Sequence, residues 1–387
     1  MKLKSLILLL TVALSFVLIG CGGSSGSSTE PNNTISYENG EFGDGRLELL
    51  TQYYKDKYNL PALATFSIKL DGQSEFATVG KKKIEEDNLV GINNKWSIGS
   101  VTKSMTATIA SMMIEEGLLS WDDKLKDIFP EFIGTMQNRY LDITLIELLS
   151  HSSGIPTEDD DFWEDFTNSS LPLKEERYEL TKEILEYEND EPQNQFMYSN
   201  LNYIIASSIL EKVSNKSFEQ LIEQYLFIPL SMNNSTINPL NQYDDIWGHK
   251  YINNQWQSFN PTIETGDNAA IVAPAGSRTF VGLEDMGKYL IFHLKGMLGT
   301  NELISNENIS KLYTPVINAQ GSSKYALGWF IQDENVIFHS GSNDRWLSLA
   351  LIDKQTQTVH FVVSNSYSEN TQNAVFKMMD VLTARSK

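Results

Sequence analysis

Trp96-Ser-Ile-Gly-Ser-Val-Thr-Lys-Ser-Met105 opens an apolar run and sets a hydroxyl and an amine three residues apart, at Ser100 and Lys103. Residues i and i+3 share one face of a helix, so the Lys103 amine can reach the Ser100 hydroxyl. Serine is a weak nucleophile at its own pKa and needs a base beside it. A lysine serves as that base only where burial or nearby charge pulls it down from about 10.4. The stretch points to acyl transfer through a serine.

Two further segments bring chemistry to turns. Phe196-Met-Tyr-Ser-Asn200 precedes a helical stretch, and Tyr198 and Asn200, two residues apart on a turn, can project into one cleft. A tyrosinate beside Lys103 is a second candidate base, provided the phenol falls from about 10. The Asn200 amide can donate to a substrate carbonyl and accept from Lys103. Phe338-His-Ser-Gly-Ser342 lies at the end of an expected strand. Gly341 there lets a substrate lie close against the strand. The backbone N–H of Ser342, with that of Ser100, can form an oxyanion hole. His339 adds a side chain that donates, accepts or carries charge near neutral pH. Pro274-Ala-Gly-Ser-Arg-Thr279 reads as a turn that shapes the cleft edge.

Around these segments, Ala62 to Leu70 alternates as a strand, Asp71-Gly72 signals a hairpin, and Ser74 to Gly80 returns. Asn335 to Ser340, Trp346 to Asp353 and Thr358 to Ser364 read as three successive strands, closed by a helix from Gln372 to Thr383. Helical spacing covers Gly45 to Tyr54, Val101 to Leu118, Thr144 to Leu149, Leu201 to Val213, Ser217 to Phe227 and Met286 to Leu294. Met105, Ile109, Met112 and Met113 form an apolar side of the second of these. Glu158 to Leu171 and Asn241 to Thr265 read as loops. The expected fold is α/β (α+β), an antiparallel sheet built from both chain termini and flanked by helices, with a mainly helical lobe inserted.

Gly99-Ser-Val-Thr-Lys103, Tyr198-Ser-Asn200 and His339-Ser-Gly341 occur in the order used by the serine β-lactamase and penicillin-binding-protein superfamily, and the chain resembles its class C-type branch. Leu148-Leu-Ser-His-Ser-Ser-Gly-Ile155 and Tyr325-Ala-Leu-Gly-Trp-Phe330 add to the likeness, which spans nearly all of the mature chain. The resemblance implies that Ser100 is acylated, that Lys103 accepts its proton, and that Tyr198 relays protons in acylation and in water attack. It implies that Asn200 holds the acyl amide or carbonyl, and that His339, Gly341 and Ser342 flank the cleft. No cofactor is implied. Class C β-lactamases carry Lys-Thr-Gly where this chain has His339-Ser-Gly341. Histidine titrates near 6.5 and supplies no permanent cation at pH 7 for a substrate carboxylate. The expectation therefore shifts from β-lactams toward small esters, amides and D-amino-acid peptides. D,D-carboxypeptidase, β-lactamase and a non-catalytic penicillin-binding-like lipoprotein stand as alternatives.

The 387 residues are 41% hydrophobic, ample for a large core, and the formal charge of −20 argues against nucleic acid as a partner. Lys2, Lys4 and the apolar run Leu6 to Ile19 resemble a lipoprotein signal, residues 1–20, ending at Cys21, the only cysteine. Lipidation at Cys21 would tether the protein to a bacterial membrane on its extracytoplasmic face, through a Gly/Ser-rich linker over residues 21–35. A hydrolase domain then runs over residues 36–387. Gly22-Gly-Ser-Ser-Gly26 matches a nucleophile elbow formally, but sits in linker without the strand and helix that motif needs. His151 reads as a structural cap, the other histidines lack metal-ligand spacing, and Glu158-Asp-Asp-Asp161 reads as a solvated loop near the cleft mouth.

Overall fold

The computed structural model describes residues 39–158, 171–238, 240, 245–262, 269–319 and 321–387. The expected signal segment, Cys21 and the linker over 21–35 lie outside the described residues, as do Asp159 to Asp161.

The strands are β1 (Ala62–Lys69), β2 (Ser74–Gly80), β3 (Lys95–Ser97), β4 (Ser235–Thr236), β5 (Gly248–Ile252), β6 (Gln255–Phe259), β7 (Phe280–Gly282), β8 (Ile317–Asn318), β9 (Lys324–Tyr325), β10 (Phe330–Ile331), β11 (Val336–Asn343), β12 (Trp346–Asp353), β13 (Thr358–Ser364) and β14 (Ser366–Tyr367). Eight of them form one sheet, in the order β2-β1-β13-β12-β11-β10-β9-β8. Every neighbouring pair in it is antiparallel. The N-terminal hairpin joins the C-terminal meander through β1 and β13, with Phe66 opposite Phe361. This is the sheet from both termini that the pattern at the chain ends implies.

The helices are α1 (Leu47–Lys57), α2 (Thr102–Glu115), α3 (Leu125–Ile128), α4 (Leu145–Leu149), α5 (Leu173–Glu186), α6 (Asn200–Ser214), α7 (Phe218–Ile222), α8 (Leu283–Met297), α9 (Asn306–Lys311) and α10 (Glu369–Arg385). Side chains alternate across the sheet because successive strand residues point to opposite faces. Leu347, Leu349 and Leu351 of β12 join Leu47 and Leu50 of α1 and Val375 and Met378 of α10 in one core. Ala350 and Ile352 join Met105 and Ile109 of α2 and Met286 and Leu290 of α8 in the other. The larger core continues into the inserted helical lobe through α4, α5 and α6.

Three elements differ from the sequence expectation. Residues Thr102 to Met113 of α2 are buried on every side, so the helix is a central post rather than an amphipathic one. Two of its hydroxyls are met inside the core: Ser104 Oγ donates to Val101 O at 2.7 Å and Thr106 Oγ1 to Pro274 O at 2.7 Å. Within the expected loop from Asn241 to Thr265, β5 and β6 form a hairpin whose turn residues Asn253 and Asn254 have φ of 51° and 63°. Two positive φ values define the turn that suits a two-residue hairpin, and asparagine tolerates them. The charge-rich segment Leu173–Glu186 is helix α5, which buries Arg177, Leu180, Thr181, Ile184 and Leu185 at helical spacing. Arg177 is fully buried there and bonds Glu211 of α6 at 2.7 Å, Glu219 of α7 at 2.5 Å and the carbonyl of Ala270 at 3.1 Å. That guanidinium ties the helical lobe to the segment Ala270–Ala275, whose last carbonyl accepts from Lys103 Nζ.

Candidate active site

Ser100 sits in a single 3-10 turn, Gly99–Val101, that runs directly into α2. Lys103, one turn on, is fully buried. Its Nζ lies 3.0 Å from Ser100 Oγ, 2.6 Å from Asn200 Oδ1 and 2.7 Å from Ala275 O. Burial pulls the amine down to about 7, against the opposing pull of Glu158. A neutral amine has two N–H bonds and one lone pair. Asn200 Oδ1 and Ala275 O can take the two N–H bonds, which leaves the lone pair for the Ser100 hydroxyl. The amine is thus both held and poised as a base for that serine.

Tyr198 and Asn200 flank Ser199, the N-cap of α6, whose side chain accepts the Leu201 N–H at 3.2 Å. The cap turns the chain so that both neighbours face the α2 N-terminus. Lys103 Nζ lies 4.8 Å from the centroid of the Tyr198 ring. Desolvation raises the phenol far above its usual 10, and the neighbouring Ser100 side chain offsets only part of that. The tyrosinate expected as a second base is corrected accordingly: Tyr198 is a protonated phenol, and Lys103 is the group whose pKa moves toward neutrality. Burial disfavours the charged form of each group, the phenolate and the ammonium, so it raises the phenol and lowers the amine.

The strand side is set by close backbone approach. A Cβ on Gly341 would stand 1.9 Å from Ile98 O and 2.7 Å from Ser100 N, and one on Gly99 would stand 2.6 Å from Ser342 N. Only hydrogen fits at either position. The backbone at Ser100 and that at Ser342 are thereby brought into close approach. Gly276, at φ +124°, closes the other side, since its Cβ would lie 2.2 Å from Gly99 O. Ser348 of β12 donates to Ile98 O at 2.8 Å and pins the nucleophile turn to the sheet.

His339 stands differently from its expectation. It is 1% exposed; Nδ1 lies 2.6 Å from Ser340 O and Nε2 lies 3.0 Å from the Tyr325 hydroxyl. Nδ1–H therefore donates to the carbonyl and Nε2 accepts from the phenol. Burial, with the Lys103 charge adding to it, lowers the ring to about 3, so it is neutral. The expectation of a donor or cation facing the cleft is corrected: His339 is an uncharged strut inside the wall, its ring tilted at 43° to that of Tyr198 with 6.4 Å between centroids. His151 matches its structural reading. Its ring packs 4.3 Å from that of Tyr198, and Nδ1 accepts the Ser199 N–H at 3.3 Å.

Two participants carried no readable signal. Ala275 acts through its carbonyl, which every residue possesses. Glu158, expected in a solvated loop, instead reaches the start of α6, where it accepts the Asn200 N–H at 3.2 Å and the Asn200 side-chain amide. Burial raises its carboxyl, opposed by its hydrogen bonds and by Lys103. Among the described residues no cluster of His, Cys, Asp and Glu is arranged to hold a metal ion, and no helix is long and apolar enough to cross a membrane.

Fold and site together define a β-lactamase-type scaffold, with Ser100 at the foot of a buried helix beside an antiparallel sheet. The family described as Beta-lactamase matches residues 50–378, and the chain belongs to it. It is similar to Protein flp of Staphylococcus aureus (strain MW2), at 25% identity over 84% of this chain and 63% of that protein. It is also similar to Penicillin-binding protein 4* of Bacillus subtilis (strain 168), at 23% identity over 68% of this chain and 58% of that protein. The chain thus spans less than two thirds of the length of either relative. Among solved structures, the octameric penicillin-binding protein homologue from Pyrococcus abyssi superposes with a TM-score of 0.72 at 24% identity, covering 89% of this chain and 78% of that one. A penicillin binding protein from Bacillus halodurans superposes with a TM-score of 0.68 at 21% identity, covering 86% and 98%. Both share the fold.

Proposed function

We propose that this chain is a serine hydrolase working through an acyl-enzyme at Ser100, on an ester, an amide or a D-amino-acid peptide. The observation that carries the reading is the Lys103 amine, buried, 3.0 Å from Ser100 Oγ and held by two further acceptors. In acylation the Ser100 proton passes to Lys103 Nζ as Oγ bonds to the substrate carbonyl carbon. The carbonyl oxygen gains the electron pair and takes hydrogen bonds from the N–H groups of Ser100 and Ser342. Collapse re-forms the carbonyl and breaks the bond to the leaving group. That group departs with the proton from Lys103, directly or through the Tyr198 hydroxyl. Water then attacks the ester, giving a proton to the same pair, and Ser100 leaves with it restored.

The uncharged His339 favours esters and amides over β-lactams, because it supplies no cation for a β-lactam carboxylate. The signal-like segment ending at Cys21 supports a lipid-anchored, extracytoplasmic location. The test is labelling by a fluorophosphonate and a fluorescent penicillin, with turnover of p-nitrophenyl acetate, a chromogenic cephalosporin and a D-Ala-D-Ala peptide. Labelling lost in Ser100→Ala, with rapid ester turnover, is expected. Equal labelling of that variant refutes the assignment, and acylation without turnover marks a binding protein.

A further inference from the structure

Tyr198 lies on a stretch, residues 196–199, that is neither helix nor strand, so the place of its phenol is set by what holds that stretch from outside. The turn that follows α4 holds it. Ser152 O accepts the Asn194 N–H and His151 O accepts the Met197 N–H, both at 2.8 Å. His151 Nδ1 accepts the Ser199 N–H at 3.3 Å. One residue thus takes the backbone N–H of the neighbour on each side of Tyr198. Its ring also lies 4.3 Å from the Tyr198 ring between centroids, tilted by 34°.

The bonding around His151 fixes its tautomer. Asn202 Oδ1 accepts from Ser153 Oγ at 2.6 Å, which leaves the Asn202 amide nitrogen facing His151 Nδ1 at 3.4 Å. Nδ1 therefore meets two donors and carries no proton. The proton sits on Nε2, which is buried and has no hydrogen-bond partner among the described residues. Burial lowers the ring well below its usual 6.5, so Nδ1 stays an acceptor. The backbone is left-handed, at φ 59°. A left-handed histidine and an unpaired buried N–H both cost stability, and such costs gather where a fold fixes the geometry of a site. Capping α4 does not call for this side chain, since His151 meets Leu148 O through its backbone N–H.

We propose that His151 is a positioning residue: its carbonyl and Nδ1 hold Tyr198 where the phenol hands a proton to the leaving group. As the tetrahedral intermediate collapses, the bond from carbon to the leaving oxygen breaks and its electron pair stays on that oxygen. The phenol proton goes to the same oxygen, and the Lys103 ammonium returns one to the phenol. The proposal rests on the Ser100 acyl-enzyme reading and chooses between its two routes for that proton.

The experiment compares kcat/KM for p-nitrophenyl acetate and ethyl acetate, which give the same acetyl-enzyme. Nitrophenolate departs as the anion and ethoxide needs a proton, so the nitrophenyl-to-ethyl ratio reports proton delivery. A ratio taken on one preparation is independent of the folded fraction, so a merely structural role leaves it unchanged. Tyr198→Phe, with no proton to give, should raise the ratio by about 10²-fold or more. His151→Gly suits the left-handed backbone but has neither acceptor nor ring. It should raise the ratio by about 10-fold or more, since a misplacement of about 1 Å can cost about 10²-fold. His151→Asn suits the same backbone and carries Oδ1 where Nδ1 stood, so it should keep the ratio within about threefold of the native chain. An unchanged ratio in Tyr198→Phe or in His151→Gly overturns the proposal. So does a rise of about 10-fold in His151→Asn, the variant that keeps the lacing of the fold, or an ethyl ester that the native chain does not turn over. Fluorophosphonate labelling of Ser100 in the native chain separates the two levels: labelling that is present confines the failure to His151 and Tyr198, and labelling that is absent removes the acyl-enzyme reading and the proposal with it.

Discussion

Gly341→Ala tests the oxyanion hole while leaving every side chain of the site in place. The new Cβ would stand 1.9 Å from Ile98 O, and real Cβ contacts essentially never fall below 3.0 Å. The β11 backbone or the nucleophile turn must therefore retreat by about 1.1 Å, the difference between those two distances. The turn has little freedom to give way. Ile98 O is held by Ser348 at 2.8 Å, and Gly276 leaves no space behind Gly99. The displacement falls on the strand and carries the Ser342 N–H away from Ser100. Oxyanion donors act at about 2.7–3.1 Å, so a shift of about 1 Å removes one of the two. Losing one donor costs about 10²–10³ in kcat. Overpacking adds about 1–3 kcal/mol of lost stability. The assay is steady-state hydrolysis of p-nitrophenyl acetate beside a thermal melt and the rate of fluorophosphonate labelling. A folded Gly341→Ala with kcat within threefold of the native chain refutes the geometry.

The Lys103 amine, lowered to about 7 by burial, is active only when neutral, so kcat/KM should rise with pH through about 7 and level off above it. Lys103→Arg, which cannot shed its proton, should cost about 10²–10⁴-fold, and an acid limb near 4 instead would assign the base to a carboxylate. Acid should also weaken the fold. Burial lowers His249 to about 4 and His293, His339 and His360 to about 3, from a usual 6.5. The unfolded chain takes up protons that these native histidines refuse, so stability falls as pH drops from 6.5 toward 4. At pH 5 each contributes about 2 kcal/mol to that loss, and a urea midpoint unchanged between pH 7.5 and pH 5.0 contradicts the burial.

The identity of the scaffold was legible because it rests on local chemistry and periodicity. Ser100 and Lys103 are one helical turn apart, and Tyr198 and Asn200 straddle one cap, so their mutual placement follows from sequence spacing. The strands Trp346–Asp353 and Thr358–Ser364 appear with the bounds read from their hydrophobic pattern. The same logic missed α5, whose buried face includes Arg177, because its charged composition hides a helical stripe. It also missed the β5–β6 hairpin, whose only local mark is the Asn253-Asn254 turn.

By itself, then, the sequence determined the fold class and the spacing that sets Ser100 and Lys103 on one face of a helix and Tyr198 and Asn200 on either side of one cap. The tertiary structure decided the charges. Whether Lys103 is a base, Tyr198 a phenolate or His339 a cation depends on how far each is taken from water and on what lies across the core from it. Those partners are distant in the chain: Ala275 for Lys103, Tyr325 for His339 and Glu158 for Asn200. Desolvation and long-range hydrogen bonding are properties of the packed molecule, and spacing along the chain carries no record of them.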